Sequence, residues 1–529
     1  MNLSFPSCPV ALFPFFYFAM TALIIHGHFY QPPRENPWTG LIEQQPGAAP
    51  YHDWNERIYA ECYEPNSRAH IVGDQKVERT INNYENISFN FGPTLLSWLE
   101  LKHPETYRKI LEADRVSATK RSGHGNAIAQ AYGHAILPLC NVRDRETQVL
   151  WGLADFRYRF RREPESLWLP ETACDDETLG LLIDAGLRYV ILAPNQANSF
   201  REPGGDWQTA PNGSIDPSRA YRFLHPDNSG RSISVFFYDG ATSQAIAFEK
   251  ALTSSKTLVE LFSRAATRGQ LVTVATDGET YGHHFKFGDL CLAHALETEA
   301  PEVGFRLTNY GEYLDSNPAE LEVRLARGEN GEGTSWSCIH GVGRWQRDCG
   351  CHTGGEPGWN QEWRAPLRAA LDFLRDVAAR DFEVAAGDYF DDPWQVRNQA
   401  IDLVLDPLAS REAFLLRHAK RSLSEKDQWR ALALLEMQRN SLLMFTSCGW
   451  FFSEVSGIET IQVLKYAAKL IDLSAELGFS SPRREFLEVL AEAKSNRAEM
   501  GTGADIYLKH AERQARATLT VSDREATIS

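Results

Sequence analysis

The run Ser166-Leu167-Trp168-Leu169-Pro170-Glu171 decides the fold: an apolar, strand-length stretch stops at a proline and a carboxylate. Leu271-Val272-Thr273-Val274-Ala275-Thr276 repeats the pattern and stops at Asp277-Gly278-Glu279. Thr21-Ala22-Leu23-Ile24-Ile25 does so again, ending at His26-Gly27-His28. Sheets of parallel strands bind ligands beyond the carboxyl ends of their strands. Strand ends bearing His, Glu and Asp therefore point to one site. Two carboxylates there are the minimal equipment for breaking a glycosidic bond, one to protonate the leaving oxygen and one to act at the anomeric carbon.

On either side of these runs, apolar segments at 21–29, 87–91, 167–170, 188–193, 233–238 and 271–276 read as strands. Helical patterns at 93–101, 104–112, 145–161, 175–186 and 257–268 alternate with them. Such alternation indicates an α/β domain with mainly parallel strands, and its span, 21–310, suits a barrel of seven or eight strands. Residues 198–231 are rich in Gly, Pro, Asn, Asp and Ser and read as a long excursion over one face. Residues 311–365 form a Gly-, Cys- and Trp-rich loop region with little periodicity. From 366 to 520 the pattern is helical: Leu367 to Ala379, Gln428 to Leu443 and Ile458 to Leu477 carry apolar residues at three-and-four spacing. The last dozen residues are polar and expected to fray.

With 529 residues the chain exceeds one ordinary core. A net charge of −16 repels phosphate backbones, so nucleic acid is not an expected partner. Thirteen Trp favour a carbohydrate ligand slightly, since aromatic faces stack on sugar rings, although most are expected in the core. Nine Cys, an odd and ordinary number at this length, suggest reduced thiols and a cytoplasmic location. Residues 1–20 hold an apolar stretch, Val10 to Ala19, without a Lys or Arg and interrupted by Pro14. That is too short to span a bilayer and lacks a signal peptide's positive start; no membrane partner is expected. Translation starting at Met20 is the favoured reading; a degenerate signal or anchor, or an unstructured extension, are the alternatives.

His26 and His28 are two apart on a strand and so share a face. His134 lies in Gly133-His134-Ala135-Ile136-Leu137-Pro138, and His283 and His284 follow Asp277 closely. Such histidines suit metal ligation or hydrogen bonding to sugar hydroxyls; each on its own is as readily a structural histidine.

These segments together resemble glycoside hydrolase family 57, whose members act on α-glucans. His26 to Pro32 resembles its opening His-x-His-Gln-Pro motif, with Phe29-Tyr30 inserted before Gln31. His124 to Leu139 resembles the second motif, Trp168 to Glu171 the third, and Thr276 to Gly282 the fourth. Gly186 to Ile191 resembles the strand after the third. The resemblance implies a distorted (β/α)7 barrel followed by a mainly α-helical C-terminal domain. It also implies Glu171 as nucleophile, Asp277 as general acid/base, and substrate-contacting roles for His28 and His134. Two departures stand out. Asn126 occupies the place where the family usually has a Glu. The fifth motif's nearest analogue, Thr446-Ser447-Cys448-Gly449-Trp450-Phe451-Phe452, keeps a Trp but lacks the Asp. The helical half resembles an uncharacterised domain attached to some family members.

Between Trp336 and His352 lie Cys338, Cys349, Cys351, His340 and His352. These suffice for a tetrahedral zinc site, but the spacing is Cys-x-His and Cys-x-Cys-His, not Cys-x-x-Cys. A substrate-facing loop is preferred, folding Arg344, Trp345 and Trp359 over the barrel mouth, with simple packing as the other alternative; no metal and no cofactor are expected.

The expected function is a retaining glycoside hydrolase or transglycosylase, amylase-, 4-α-glucanotransferase- or branching-enzyme-like, acting on an α-glucan or related oligosaccharide. Glu171 and Asp277 would be catalytic. His26, His28, Gln31, Asn126, His134, Trp168, Glu279, His283, Trp345 and Trp450 would contact substrate. A metal-dependent deacetylase or mannosidase on a related barrel, or a non-catalytic glucan-binding protein, are the rival readings.

Overall fold

The computed structural model describes residues 20–73, 76–406 and 411–512. Residues 1–19, on which the start-site readings fall, and the polar C-terminal residues lie outside the described residues.

Among the described residues seven short strands close a ring: β1 (Thr21–Phe29), β2 (Ser88–Phe91), β3 (Ala129–Gln130), β4 (Leu167–Trp168), β5 (Tyr189–Leu192), β6 (Ser232–Phe237) and β7 (Leu271–Asp277). β1 pairs in parallel with β7 along Ala22–His28 and with β2 along His26–Phe29. A parallel bridge from Phe89 to Ala127 leads into β3, which pairs with β4. Ser166 bridges to Tyr189, and β5 pairs with β6. The ring closes where the Asp239 N–H donates to the Thr273 carbonyl at 2.8 Å. This is the distorted (β/α)7 barrel that the family resemblance implies. β1 and β7 are apolar on both faces because one face fills the barrel and the other meets helices: Leu23, Ile24, Ile25, Val272 and Val274 are all buried. β3 and β4 are two residues each, too short to show a period, and β3 was not legible as a strand.

Local chemistry sets the helix starts. Asn141 caps Val142–Phe160 by accepting the Asp144 N–H at 2.9 Å, and Asp175 caps Asp176–Asp184 by accepting the Thr178 N–H at 2.7 Å. Caps of this kind contribute about 1 kcal/mol each.

The stretch 198–231 is not a bare excursion. Ala197–Arg201 and Ala220–Leu224 are strands, the latter antiparallel to β6. With Glu322–Leu325 and Gln208–Thr209 they extend β5 and β6 into a six-stranded sheet. The intervening turn residues hide this in composition, while Tyr221 and Phe223 bury one face.

The helical half packs Arg364–Ala386, Glu425–Leu443 and Ile458–Glu476 around a second core that includes Leu371, Leu374, Phe382, Leu434 and Leu464. Tyr132, Ile136 and Trp151 of the barrel half belong to the same core. Buried Arg397 donates to Asp144 at 2.7 Å, and the Trp151 indole donates to the Arg397 carbonyl at 3.2 Å. The helices therefore form a wall of the barrel half. No helix of the described residues is long and apolar enough to cross a membrane.

Candidate active site

Glu171 leaves β4 through Pro170 in a left-handed conformation, φ 58° and ψ 21°, and Thr172 follows at φ 49°. Non-glycine residues adopt this region at a cost of about 1–3 kcal/mol, which surrounding structure must offset. Here the offset comes from the segment 334–337. Cys174 and Thr334 exchange backbone hydrogen bonds at 3.0 Å, and the Trp336 N–H donates to the Glu171 carbonyl at 3.0 Å. The carboxylate itself is clamped: Glu171 Oε2 accepts from the Trp336 indole at 3.0 Å and from the Ser337 hydroxyl at 2.7 Å. Burial raises the Glu171 pKa; the two donors and the Arg344 charge pull in the other direction and limit the rise.

Asp277 ends β7. Its side chain reaches solvent yet is crowded by protein atoms. Desolvation raises its pKa well above the usual carboxylate value, and the charges of Glu279 and then Glu171 raise it further. Asp277 thus senses the field of the Glu171 carboxylate. Glu279 is buried, its Oε1 accepting from the Tyr30 N–H at 3.0 Å and the Tyr63 hydroxyl at 2.6 Å, and burial pushes its pKa up to about 7.

A polar network lines the same strand ends. His26 contacts Ser88 through Nδ1 and Asn90 Oδ1 through Nε2, both at 3.0 Å. Asn90 Nδ2 lies 2.9 Å from His28 Nδ1 and 2.8 Å from Gln130 Oε1. His28 Nε2 meets His134 Nε2 at 3.2 Å, and His134 Nδ1 meets Ser447 Oγ at 2.7 Å. Trp168 stacks on His26 and His28, with ring centroids 4.7 and 5.0 Å apart, and Trp336 stands edge-on to Trp168 at 5.2 Å. Burial lowers the His26 and His28 pKa to about 3 and holds that of His134 well below its ordinary value, so the three imidazoles are neutral.

The structure thus gathers His26, His28, His134 and Trp168 into one network at the strand ends that carry Glu171 and Asp277. Gln31 stands behind them, accepting from Arg34 at 2.8 Å. Three of the expected substrate contacts, Asn126, Trp345 and Trp450, need correction. Asn126 precedes β3, at the opposite end of the strand, where it donates to the Tyr84 carbonyl and accepts from Asn309. Half-buried His283 meets the Glu61 carboxylate through Nδ1. Trp345 and Trp450 are buried in the core of the helical half, the Trp450 indole donating to the Arg364 carbonyl at 3.3 Å. A ring enclosed this way offers no face to a sugar.

Sequence reading missed Asn90, Trp336, Ser337 and Ser447. Only Asn90 left a signal, a polar residue alternating with Phe89 and Phe91 in a buried strand. A cavity of about 540 Å³ between Trp151, Leu403, Arg439 and Lys469 lies in the helical half and touches neither carboxylate. Among the described residues, Cys338, His340, Cys349 and Cys351 could hold a metal, their ligand atoms lying within 4.8 Å of one another.

Residues 23–325 match the glycosyl hydrolase family 57 model, and residues 359–529 match a domain of unknown function, DUF3536. A segment of 107 residues, 20% of this chain, is 27% identical to Alpha-amylase 1 of Dictyoglomus thermophilum and spans 15% of that protein's length. The exo-type maltose-forming amylase of Pyrococcus sp. ST04 superposes with a TM-score of 0.65 at 16% identity, covering 89% of this chain and 83% of that one. The GH57-type branching enzyme of Pyrococcus horikoshii gives 0.53 at 15% identity, covering 92% and 96%. At these identities the two superpositions establish shared architecture. The match over 23–325 takes in β1 to β7 with both carboxylates, and on it the chain belongs to glycosyl hydrolase family 57.

Proposed function

We propose that this chain is a retaining glycoside hydrolase or transglycosylase acting on an α-glucan or related oligosaccharide, with Glu171 as nucleophile and Asp277 as general acid/base. The observation that carries the reading is the unequal treatment of the two carboxylates. Glu171 is given two hydrogen-bond donors and a nearby guanidinium, which favour its anion. Asp277 faces two further carboxylates, which favour its protonated form. Opposed environments assign opposed roles.

The Glu171 carboxylate attacks the anomeric carbon while Asp277 delivers its proton to the departing glycosidic oxygen. The covalent glycosyl-enzyme is released when Asp277, now ionised, takes a proton from water or a sugar hydroxyl. The three neutral imidazoles, each with both ring nitrogens bonded within the protein, add no charge beneath the site, which suits an uncharged sugar. The amylase and branching-enzyme relatives support an α-glucan as substrate. Reaction with maltooligosaccharides, followed by NMR of the first product formed, tests the proposal. An α-anomer, free or transferred, is expected; a β-anomer first product, or inertness towards a full α-glucan panel, counts against it.

A further inference from the structure

We infer that Cys338, His340, Cys349 and Cys351 form a tetrahedral Zn²⁺ site that anchors the loop clamping Glu171. The cluster falls between the two segments that match family models, 23–325 and 359–529, and the sequence spacing argued against a metal. The geometry argues for one. Cys338 Sγ and Cys349 Sγ are 3.8 Å apart, and Cys351 Sγ is 3.5 Å from His340 Nδ1. With zinc–sulfur bonds of about 2.3 Å and zinc–nitrogen bonds of about 2.0–2.1 Å, a regular tetrahedron has edges of about 3.8 Å and 3.6 Å. These two spacings match those edges, and all four ligand atoms lie within 4.8 Å of one another. They are also far too long for a disulfide bond, whose sulfurs lie about 2.05 Å apart.

The backbone is shaped for two short ligand turns. Gly350, between Cys349 and Cys351, sits at φ +79°, and its N–H is tied to Asp348 Oδ1 at 3.1 Å. The Gly341 N–H returns to the Cys338 carbonyl at 3.2 Å.

Charge supplies a separate argument. Arg344 and Arg364 are buried beside the cluster, and neither forms an ion pair with a carboxylate among the described residues. Arg364 donates to the Cys351 carbonyl at 2.7 Å, and Arg344 to the Ser337 carbonyl at 3.1 Å. Buried cations without a directly paired carboxylate are costly, and Glu171 and Asp348 act on Arg344 and Arg364 only from beyond ion-pair distance. Zinc bound by three thiolates and one neutral imidazole carries a net charge of −1 and provides a counter-charge. Thiolate-rich tetrahedral sites select zinc over harder divalent cations, and binding releases the three thiol protons.

The consequence reaches the cleft. Cys338 directly follows Trp336 and Ser337, the two donors to Glu171. The zinc thereby fixes the position of the clamp, a consequence that rests on the proposed role of Glu171; the metal site itself does not.

Elemental analysis of the purified full chain tests the site without reference to activity. About one zinc per chain is expected, and Co²⁺ exchange should give the visible bands of tetrahedral thiolate ligation. Cys349→Ser should lose the metal, and Cys140→Ser, outside the cluster, should keep it. Thiol titration before and after chelation covers the case of a ligand variant that fails to fold: three thiols should become reactive only on chelation. Absence of zinc from protein prepared in its presence, iron in its place, or a Cys338–Cys349 disulfide found by mass spectrometry would overturn the assignment. If chelated protein keeps the acid limb of its pH–rate profile unchanged, the link to Glu171 is wrong even where zinc is present.

Discussion

The Nε2 atoms of His28 and His134 lie 3.2 Å apart, so one donates a proton and the other accepts it, and both imidazoles are neutral. Donation by Asn90 to His28 Nδ1 fixes the direction: His28 Nε2–H donates to His134, and His134 Nδ1–H donates to Ser447. Protonating either ring would set two N–H groups against each other in a buried place.

This arrangement gives stability a defined pH dependence. His26 and His28 are lowered to about 3, and His134 is likewise lowered well below its ordinary value, against 6.5 in the unfolded chain. As pH falls below 6.5 the unfolded state takes up protons that the folded state refuses. Stability should therefore be lost progressively from 6.5 toward 3, by up to about 1.4 kcal/mol per pH unit for each imidazole. Denaturant unfolding across this window measures the slope, and His28→Gln should reduce it by one proton. A flat profile would show that these rings are not held neutral.

Glu171→Gln should fold, because the amide oxygen still accepts from Trp336 and Ser337. It should lose three or more orders of magnitude in kcat, on the order seen when a catalytic nucleophile is removed. Azide added to Glu171→Ala should give a glycosyl azide of inverted configuration. Full activity in Glu171→Gln would end the assignment.

Asp277→Asn should cost about 10²–10⁴-fold on natural glycans and far less on substrates whose leaving group needs no proton. The alkaline limb of kcat/KM should belong to Asp277. Glu279→Gln removes a negative charge from beside it, lowers its pKa, and should move that limb to lower pH. Equal losses of Asp277→Asn on both substrate classes would leave Asp277 only a shaping role.

Ser337→Ala removes a bond that favours the Glu171 anion. The Glu171 pKa then rises, and the acid limb of kcat/KM should move up by about one pH unit, the equivalent of a charge-assisted hydrogen bond. An acid limb that stays in place, with kcat lowered at every pH, would show that Ser337 does not tune the carboxylate.

Trp450→Ala should act on stability rather than on sugar binding. Its indole is enclosed by Phe445, Arg368 and the Arg364 carbonyl, and deleting it should cost about 3–5 kcal/mol. A variant with unchanged thermal midpoint and weakened oligosaccharide affinity would place the ring in the cleft instead.

The sequence by itself determined the strands that end at His26, Glu171 and Asp277, though not β3 or the strands within 198–231. The runs before His26, Glu171 and Asp277 are apolar on both faces, and that pattern makes buried parallel strands whatever follows. The i, i+2 spacing of His26 and His28 likewise fixes a shared face before any fold is known. Tertiary structure alone decided which groups meet there. Trp336 and Ser337 reach Glu171 from 165 and 166 residues away, and Ser447 reaches His134 from 313 away. No local periodicity encodes such contacts. Trp345 and Trp450 look like sugar platforms as letters, and only packing buries them. The Cys338–Cys351 segment hides its ligand set in a similar way: its two turns are closed by local bonds, but only the folding of the loop back on itself and against Arg364 brings the four ligand atoms within 4.8 Å.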